Sequence, residues 1–281
     1  RQAGRYLPEF RKIRKENQDF IKLCLNSNLA SEITLQPIKR FNLDSAIIFS
    51  DILMIPYALG QEVKFIKDQG PDLSEFNIEI FLDTNKKYFS EKLNPVYKAI
   101  EKTRKKLNKE KSLISFIGAP WTLLVYMLGL KEKNSLNLSK INNTESEINV
   151  ILEKLIDYLC AHIENQIKYG ADVVQIFDSW AGLIPEKNLQ NFCYDPNLRI
   201  VQFCKEKNIP VICFPKGIGK KYADFTKKVK PDGINLDYEV DPQWAKNNLV
   251  NTVIQGGMSP KTLLKPMEEI YIEAKNYLDT F

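Results

Sequence analysis

Short apolar runs alternate along the chain with longer amphipathic stretches, and each of the six clearest runs is followed by Gly, Pro, Ser or Asp. The amphipathic stretches carry apolar residues at helical spacing, as between Ile148 and Tyr169. The runs are Ala46–Phe49, Leu113–Ile117, Val173–Phe177, Val211–Phe214, Gly233–Leu236 and Val253–Gln255, with a weaker seventh at Glu62–Ile66. This alternation predicts seven strands joined by helices in an α/β protein with a parallel sheet.

Two folds fit such a pattern. A (β/α)8 barrel of the TIM type takes about 250 residues and has its site at the carboxyl ends of the strands. A doubly wound open sheet has the same alternation of strands and helices. The chain has no Ser/Gly-rich linker and no tandem repeat, so we predict one domain over residues 1–281.

The charge pattern argues against a nucleic-acid partner, and the length of the apolar runs argues against a membrane partner. A net charge of +5 is modest for 281 residues, and Lys and Arg alternate with Glu and Asp rather than forming a basic stripe. No apolar run reaches membrane-spanning length, and no signal-peptide pattern opens the sequence. We therefore predict neither a nucleic-acid partner nor a membrane partner.

The cysteines and the single histidine argue against a metal site. The five cysteines are scattered and form no C-x-x-C pair, which is typical of reduced, mostly buried thiols in a cytoplasmic protein. His162 lies in a helical pattern as a surface or core residue, and Cys160, two residues earlier, would face another side of the helix. We predict no bound metal.

The segment Arg1–Phe10 is the first candidate site. Arg1 and Arg5 are four residues apart around an Ala3-Gly4 step, so two guanidinium groups and nearby backbone N–H groups can face one anion. Arginine suits carboxylate or phosphate because its planar fork bonds both oxygens. A solvated basic segment is the other interpretation of the same residues.

Three further side chains stand at or beyond strand ends. Asp51 follows an apolar run and either caps the next helix or acts in a site, because a carboxylate there needs a donor or a cation. Tyr126 lies in a core-facing helical pattern, where tyrosine serves in packing or in binding. Ser179 closes a strand, where a hydroxyl either caps a helix or bonds a ligand.

Several multi-residue blocks resemble the uroporphyrinogen decarboxylase family, in the order in which that family carries them. The blocks are Arg1–Phe10, Phe49–Leu53, Gly118–Leu123, Phe177–Gly182 and Gln255–Pro260. The last is similar to the family's Gln-Gly-Asn-Leu-Asp-Pro segment, with Asn, Leu and Asp replaced by Gly257, Met258 and Ser259. The resemblance covers nearly the whole chain and favours the barrel over the open sheet.

The resemblance implies roles for the candidate residues. Asp51 would be the catalytic residue, placed centrally to accept hydrogen bonds from the pyrrole N–H groups of a tetrapyrrole. Phe10 and Phe177 match apolar cleft positions and are equally consistent with plain core. The implied substrate-binding residues are Arg1, Gln2, Ala3, Gly4, Arg5, Asp51, Tyr126 and Ser179.

The implied activity is removal of CO₂ from the four acetate side chains of uroporphyrinogen III, giving coproporphyrinogen III without cofactor or metal. The family is typically a homodimer, so we expect a homodimer here. Asp178 stands where some family members carry Glu, and we interpret it as structural. Lys216 and Asp237 also end strands, but the sequence gives neither a catalytic role.

Two departures from the family keep other functions open. The sequence begins inside a family block and ends where the eighth strand is due, so we expect a chain incomplete at both ends. It also lacks the family's late Gly-His-Gly segment, which leaves a non-catalytic tetrapyrrole-binding relative as one alternative. A cobalamin- or thiol-dependent methyltransferase of the same superfamily is the other, although no cysteine here has a histidine two residues before it.

Overall fold

A computed structural model describes residues 4–66, 69–132, 135–138 and 145–281. Within them, eight strands are β1 (Ser45–Ile47), β2 (Val63–Ile66), β3 (Gly70–Leu73), β4 (Ser112–Gly118), β5 (Val173–Asp178), β6 (Val211–Pro215), β7 (Gly233–Leu236) and β8 (Val253–Gly256). The α-helices are α1 (Pro8–Glu16), α2 (Phe20–Cys24), α3 (Ser27–Phe41), α4 (Met54–Ala58), α5 (Ile78–Asp83), α6 (Lys86–Lys106), α7 (Pro120–Met127), α8 (Glu145–Lys168), α9 (Asp195–Glu206), α10 (Tyr222–Val229), α11 (Pro242–Asn248) and α12 (Met267–Thr280).

Six of the strands form one parallel sheet in the order β1-β4-β5-β6-β7-β8. These are the six clearest apolar runs, so the prediction of a parallel α/β sheet is confirmed. The sheet is curled. The Gln175 amide on β5 donates to Gln255 Oε1 on β8 over 2.9 Å, although two strands lie between them. Three strand spacings in a flat sheet would separate these positions by about 14 Å.

The prediction of a seventh sheet strand is wrong. The weak run at Glu62–Ile66 does form β2, but β2 pairs antiparallel with β3 in a separate hairpin. Only three positions of the sequence separate the two strands, whereas a parallel crossover takes a dozen or more residues. The described residues therefore supply six of the eight strands of a barrel.

The core lies between the sheet and the helices that cover its outer face. The long helix predicted around Ile148–Tyr169 is α8, and its residues Ile151, Leu155, Leu159 and Ile163 are all buried. All five cysteines are free thiols, four of them buried and Cys160 partly so, which confirms the prediction of mostly buried thiols. Among the described residues, no helix is both long and apolar enough to cross a bilayer.

His162 is a core residue of α8. Its Nδ1 lies 2.9 Å from the Tyr97 hydroxyl and its Nε2 lies 2.9 Å from the Gln166 amide nitrogen. Burial lowers the pKa of His162 to about 3. Because the unfolded chain takes up this proton as pH falls below 6.5 and the folded protein does not, acid destabilises the fold through this residue.

We expect this effect to be measurable by urea unfolding. Between pH 8 and pH 5 the unaltered protein should lose about 2 kcal/mol of unfolding free energy that His162→Gln retains, because the two proteins differ only at position 162, where histidine titrates and glutamine does not. An equal pH dependence in the two proteins would show that His162 is protonated in the folded state.

Candidate active site

The carboxyl ends of the parallel strands meet at one edge of the sheet, which we call the mouth. Asp51 comes four residues after β1, and Ser179 directly follows β5. Lys216 and Asp237 directly follow β6 and β7. Polar side chains therefore gather at the edge where barrel enzymes carry their sites.

The two carboxylate oxygens of Asp51 have different partners. One is bonded at the start of the next helix, and the other contacts a cation, so both roles considered from the sequence have a structural counterpart. Oδ1 accepts the Leu53 backbone N–H at 3.1 Å, which fixes the turn leading into α4. Oδ2 lies 3.4 Å from Arg5 Nη2. Burial raises the pKa of Asp51, and the Leu53 N–H and the Arg5 charge oppose that rise. The carboxylate is thus held in a largely dry place by one backbone donor and one cation.

Arg5 reaches Asp51 from a short 3₁₀ turn at Gly4–Tyr6. Its guanidinium stacks on the Phe20 ring, 4.9 Å from the centroid, and its side chain is 57% exposed. The ring fixes the position of the cation while the exposed face stays accessible to a ligand. Arg1, Gln2 and Ala3, predicted with Arg5 as one anion-binding segment, lie outside the described residues.

An apolar cavity of about 330 Å³ opens beside this pair. Its lining comes from the start of the chain, from α3, and from the ends of β1, β4 and β5. The lining residues are Gly4, Arg5, Ile33, Thr34, Pro37, Ile47, Ile48, Phe49, Ser50, Phe116 and Phe177. Of the two apolar candidates, Phe177 is in this lining, while Phe10 is buried behind it with its ring 5.7 Å from that of Phe49.

Tyr126 is half-buried on α7, and its ring meets that of Trp180 edge-on at 6.1 Å. Burial raises the pKa of Tyr126, and the negative charge of Asp51 adds to the rise. Tyr126 is therefore within electrostatic reach of Asp51. Ser179, which precedes Trp180, is also half-buried at the mouth.

The loops that follow β5 and β6 touch through their backbones. The Gly182 N–H donates to the Lys216 carbonyl at 2.8 Å, and a Cβ added to Gly182 would stand 2.5 Å from the Gly217 carbonyl oxygen. Asp237 holds the same loop by accepting the Gly217 N–H at 2.7 Å and the Tyr222 hydroxyl at 2.9 Å. Together these hydrogen bonds hold the loops after β5 and β6 against each other at the mouth.

We expect Gly182→Ala to lower the unfolding free energy by about 1–3 kcal/mol, because the methyl group would meet backbone rather than a movable side chain. Gly233→Ala is a suitable control, since its methyl group would meet an Ile212 side-chain carbon at 3.2 Å, which can shift. That variant should lose less than about 1 kcal/mol in the same urea titration. Equal losses would mean that the two loops separate easily.

Sequence patterns did not reveal every residue that builds the mouth. Ile33, Thr34 and Pro37 line the cavity from α3, and none of them lies in a recognisable block. Asp237 proves to be a loop anchor. Its position at a strand end was visible, but its partners were not. Among the described residues, no three His, Cys, Asp or Glu side chains come together in a way that could hold a metal ion.

The fold and the mouth define a β/α-barrel protein with a carboxylate–arginine pair at the carboxyl ends of its strands. A sequence model described as "Uroporphyrinogen decarboxylase (URO-D)" matches residues 1–281. The chain belongs to the uroporphyrinogen decarboxylase family.

Individual relatives agree with that assignment. The chain is 44% identical to the "Uroporphyrinogen decarboxylase" of Orientia tsutsugamushi (strain Ikeda), over 98% of this chain and 81% of that protein. It is 42% identical to the protein of the same description from Rickettsia bellii (strain RML369-C), over 94% of this chain and 79% of that protein. For Rickettsia felis (strain ATCC VR-1525 / URRWXCal2) the identity is 40%, over 100% of this chain and 82% of that protein.

Among solved structures, a methyltransferase from Methanosarcina mazei has a similar fold. The TM-score is 0.69, with 16% sequence identity over 96% of this chain and 81% of that chain. At that identity the likeness shows the fold alone. It supports the barrel rather than the open sheet, and it does not favour the methyltransferase alternative, because the closely similar sequences are described as decarboxylases.

Proposed function

We propose that this protein decarboxylates the four acetate side chains of uroporphyrinogen III to give coproporphyrinogen III, in haem biosynthesis. Membership of the family and the names of its relatives support the activity. The observation that carries the proposal to particular residues is the Arg5–Asp51 pair beside an apolar cavity. Such a place suits a substrate with an apolar ring system, pyrrole N–H donors and a carboxylate rim.

The reaction needs an electron sink, because loss of CO₂ leaves an electron pair on the side-chain carbon. A pyrrole supplies its own sink. A proton added to the ring α-carbon beside the carbon that bears the acetate gives a cation, and this cation accepts the pair as an exocyclic C=C bond when the C–C bond to CO₂ breaks. A second proton then replaces CO₂ on the side chain, and the ring proton is released. The protein has to stabilise this cation and hold the acetate in place.

Asp51 is suited to stabilising the cation. Its side chain is largely buried beyond the end of β1, and a carboxylate in such a water-poor place interacts strongly with developing positive charge on the pyrrole nitrogens. The bond from the Leu53 N–H fixes the carboxylate in advance, so little reorganisation is needed during the reaction. We assign Asp51 as the catalytic residue.

Arg5 is suited to holding a substrate carboxylate. Its guanidinium is largely exposed while one nitrogen contacts Asp51, so a bound acetate would lie beside the catalytic carboxylate. We extend the same role to Arg1, Gln2, Ala3 and Gly4 from the family block. Tyr126 and Ser179 would bind other parts of the tetrapyrrole.

Phe177 would contribute apolar contact in the cavity, and Phe10 would support it from behind. We further propose that residues 1–281 act as one domain, that the reaction uses no cofactor, and that the protein is a cytoplasmic homodimer. These assignments follow the family resemblance.

Anaerobic incubation of the protein with uroporphyrinogen III under reducing conditions tests the proposal. The number of carboxylates on the porphyrinogen should fall from eight to four as the incubation proceeds. Intact eight-carboxylate substrate after long incubation would refute the decarboxylase. If that substrate were nevertheless bound, the result would support the non-catalytic tetrapyrrole-binding relative.

A further inference from the structure

A buried polar cluster lies directly behind the mouth. Asp178 is the last residue of β5, and strand alternation turns it away from the cavity that Phe177 lines. Asp178 and Asn197 are each 1% exposed and Thr122 is fully buried. Polar groups at such depth are costly unless every one of them is satisfied.

In this cluster the Thr122 hydroxyl and the Asn197 amide donate hydrogen bonds, and the Asp178 carboxylate accepts them. The Thr122 hydroxyl accepts the Trp180 backbone N–H at 3.3 Å, so its single proton is donated to Asp178 Oδ1 at 2.8 Å. The Asn197 amide donates one hydrogen to the Cys193 carbonyl at 2.8 Å and the other to Asp178 Oδ2 at 3.2 Å. Both carboxylate oxygens are therefore required as acceptors. No other side chain of that size offers two acceptors here, because Asn would present a donor to one of them.

The ionised form of Asp178 is the one that this arrangement requires at neutral pH. Burial raises the pKa of Asp178 to about 6, and the bonds from Thr122, Cys193 and Asn197 oppose the rise. The carboxyl group is thus ionised near pH 7, in the form that the donors require.

The cluster is connected to the binding residues at the mouth. The Asp178 carbonyl accepts the Lys216 N–H at 3.0 Å, and the Trp180 N–H is bonded to Thr122, so the backbone on both sides of Ser179 is held. The Trp180 ring packs on Tyr126, which stands one helical turn beyond Thr122 on α7. One buried carboxylate therefore fixes the β5 end and α7 relative to each other.

We propose that Asp178 and Thr122 are positioning residues that hold Ser179, Trp180 and Tyr126 in the arrangement that binds substrate. This inference rests on the proposed function for its kinetic consequences only. Its structural content is independent of any activity. That content is that the Asp178 carboxylate orients the Thr122 hydroxyl, which in turn accepts the Trp180 backbone N–H.

Substitutions at Thr122 test the inference. Thr122→Val keeps the shape and removes the hydroxyl, whereas Thr122→Ser keeps the hydroxyl. Thr103→Val is the matched control, since Thr103 is also fully buried and its hydroxyl donates to the Ala99 carbonyl of its own helix. Asp178→Asn is a second way to break the cluster should Thr122→Val fold poorly.

Hydrogen exchange at the Trp180 amide is the first readout. Thr122→Val and Asp178→Asn should exchange this amide about tenfold faster or more, since its acceptor is lost or displaced, while Thr122→Ser and Thr103→Val should leave it unchanged. Unchanged exchange in both disruptive variants would overturn the inference, whether or not the unaltered protein turns over uroporphyrinogen.

Steady-state kinetics is the second readout. Thr122→Val and Asp178→Asn should raise KM for uroporphyrinogen about tenfold, with a smaller change in kcat, because the residues they position are binding residues. Thr122→Ser should restore the KM, and Thr103→Val should keep it despite a comparable loss of stability. If Thr103→Val raised KM as much as Thr122→Val, the cluster would serve stability alone. Failure of the proposed function would be seen separately, as absence of turnover in the unaltered protein.

Discussion

Asp51→Asn is expected to lower kcat for uroporphyrinogen by about a hundredfold to a thousandfold, with little change in KM. The amide has the shape of the carboxylate and can still accept the Leu53 N–H, so the turn into α4 should survive. Only the negative charge is lost, and we propose that this charge stabilises the protonated pyrrole. The measurement is steady-state turnover at neutral pH with the variant shown to be folded.

Asp241→Asn is the matched control for this substitution. Asp241 also begins a helix, accepting the Trp244 N–H at 2.7 Å at the start of α11, but it stands on the surface. That variant should turn over substrate like the unaltered protein. Near-normal kcat in Asp51→Asn would show that Asp51 serves the helix start and not the chemistry.

Arg5→Ala is expected to raise KM by about tenfold to a hundredfold and to lower kcat less, because a charge-assisted bond to a substrate carboxylate is lost. Arg14→Ala controls for the aromatic contact. The Arg14 guanidinium also lies over Phe20, at 5.6 Å, but it bonds the carbonyls of Asn17 and Gln18 instead of facing Asp51. A rise in KM of the same size in both variants would trace the effect to Phe20 packing.

The same Arg5 variant should change the pH profile. The Arg5 charge lowers the pKa of Asp51 against the effect of burial, so removing it should raise that pKa further. Under the proposed mechanism the active form of Asp51 is the carboxylate, so we expect activity to fall as pH drops through its pKa. The acid limb of kcat/KM should therefore move to higher pH in Arg5→Ala. If the acid limb of kcat/KM stayed at the same pH in Arg5→Ala, a group other than Asp51 would determine it.

The strands of the sheet were predictable because parallel strands buried on both faces give continuous apolar runs. β1 shows the limit of that reasoning. Its apolar run continues to Phe49, yet the strand ends at Ile47, because the Phe49 N–H turns to the Thr34 hydroxyl on α3 at 2.9 Å. The apolar run at β2 was likewise correctly predicted to be a strand, but it pairs with β3 and not with the parallel sheet. Strand pairing depends on the length of the connection, which apolar content does not reveal.

The sequence suggested candidate site residues where they lie in short blocks. Arg5 and Asp51 are 46 residues apart, and only the family resemblance suggested that they act together. The Thr122–Asp178 bond joins residues 56 apart, and from the sequence Asp178 was interpreted only as structural. The close approach of Gly182 to Gly217 has no local signal beyond the two glycines. Contacts of this kind are set by how the strands order themselves in the sheet.

A single-turnover measurement tests the central claim most directly, namely that the Asp51 carboxylate at the mouth drives decarboxylation. With protein in excess over uroporphyrinogen, under reducing and anaerobic conditions, the rate of the first CO₂ release reports chemistry without product release. The unaltered protein should release CO₂ from every bound molecule, and Asp51→Asn should do so about a hundredfold to a thousandfold more slowly. Equal rates in the two proteins would contradict the assigned mechanism, and no CO₂ from the unaltered protein would contradict the activity itself.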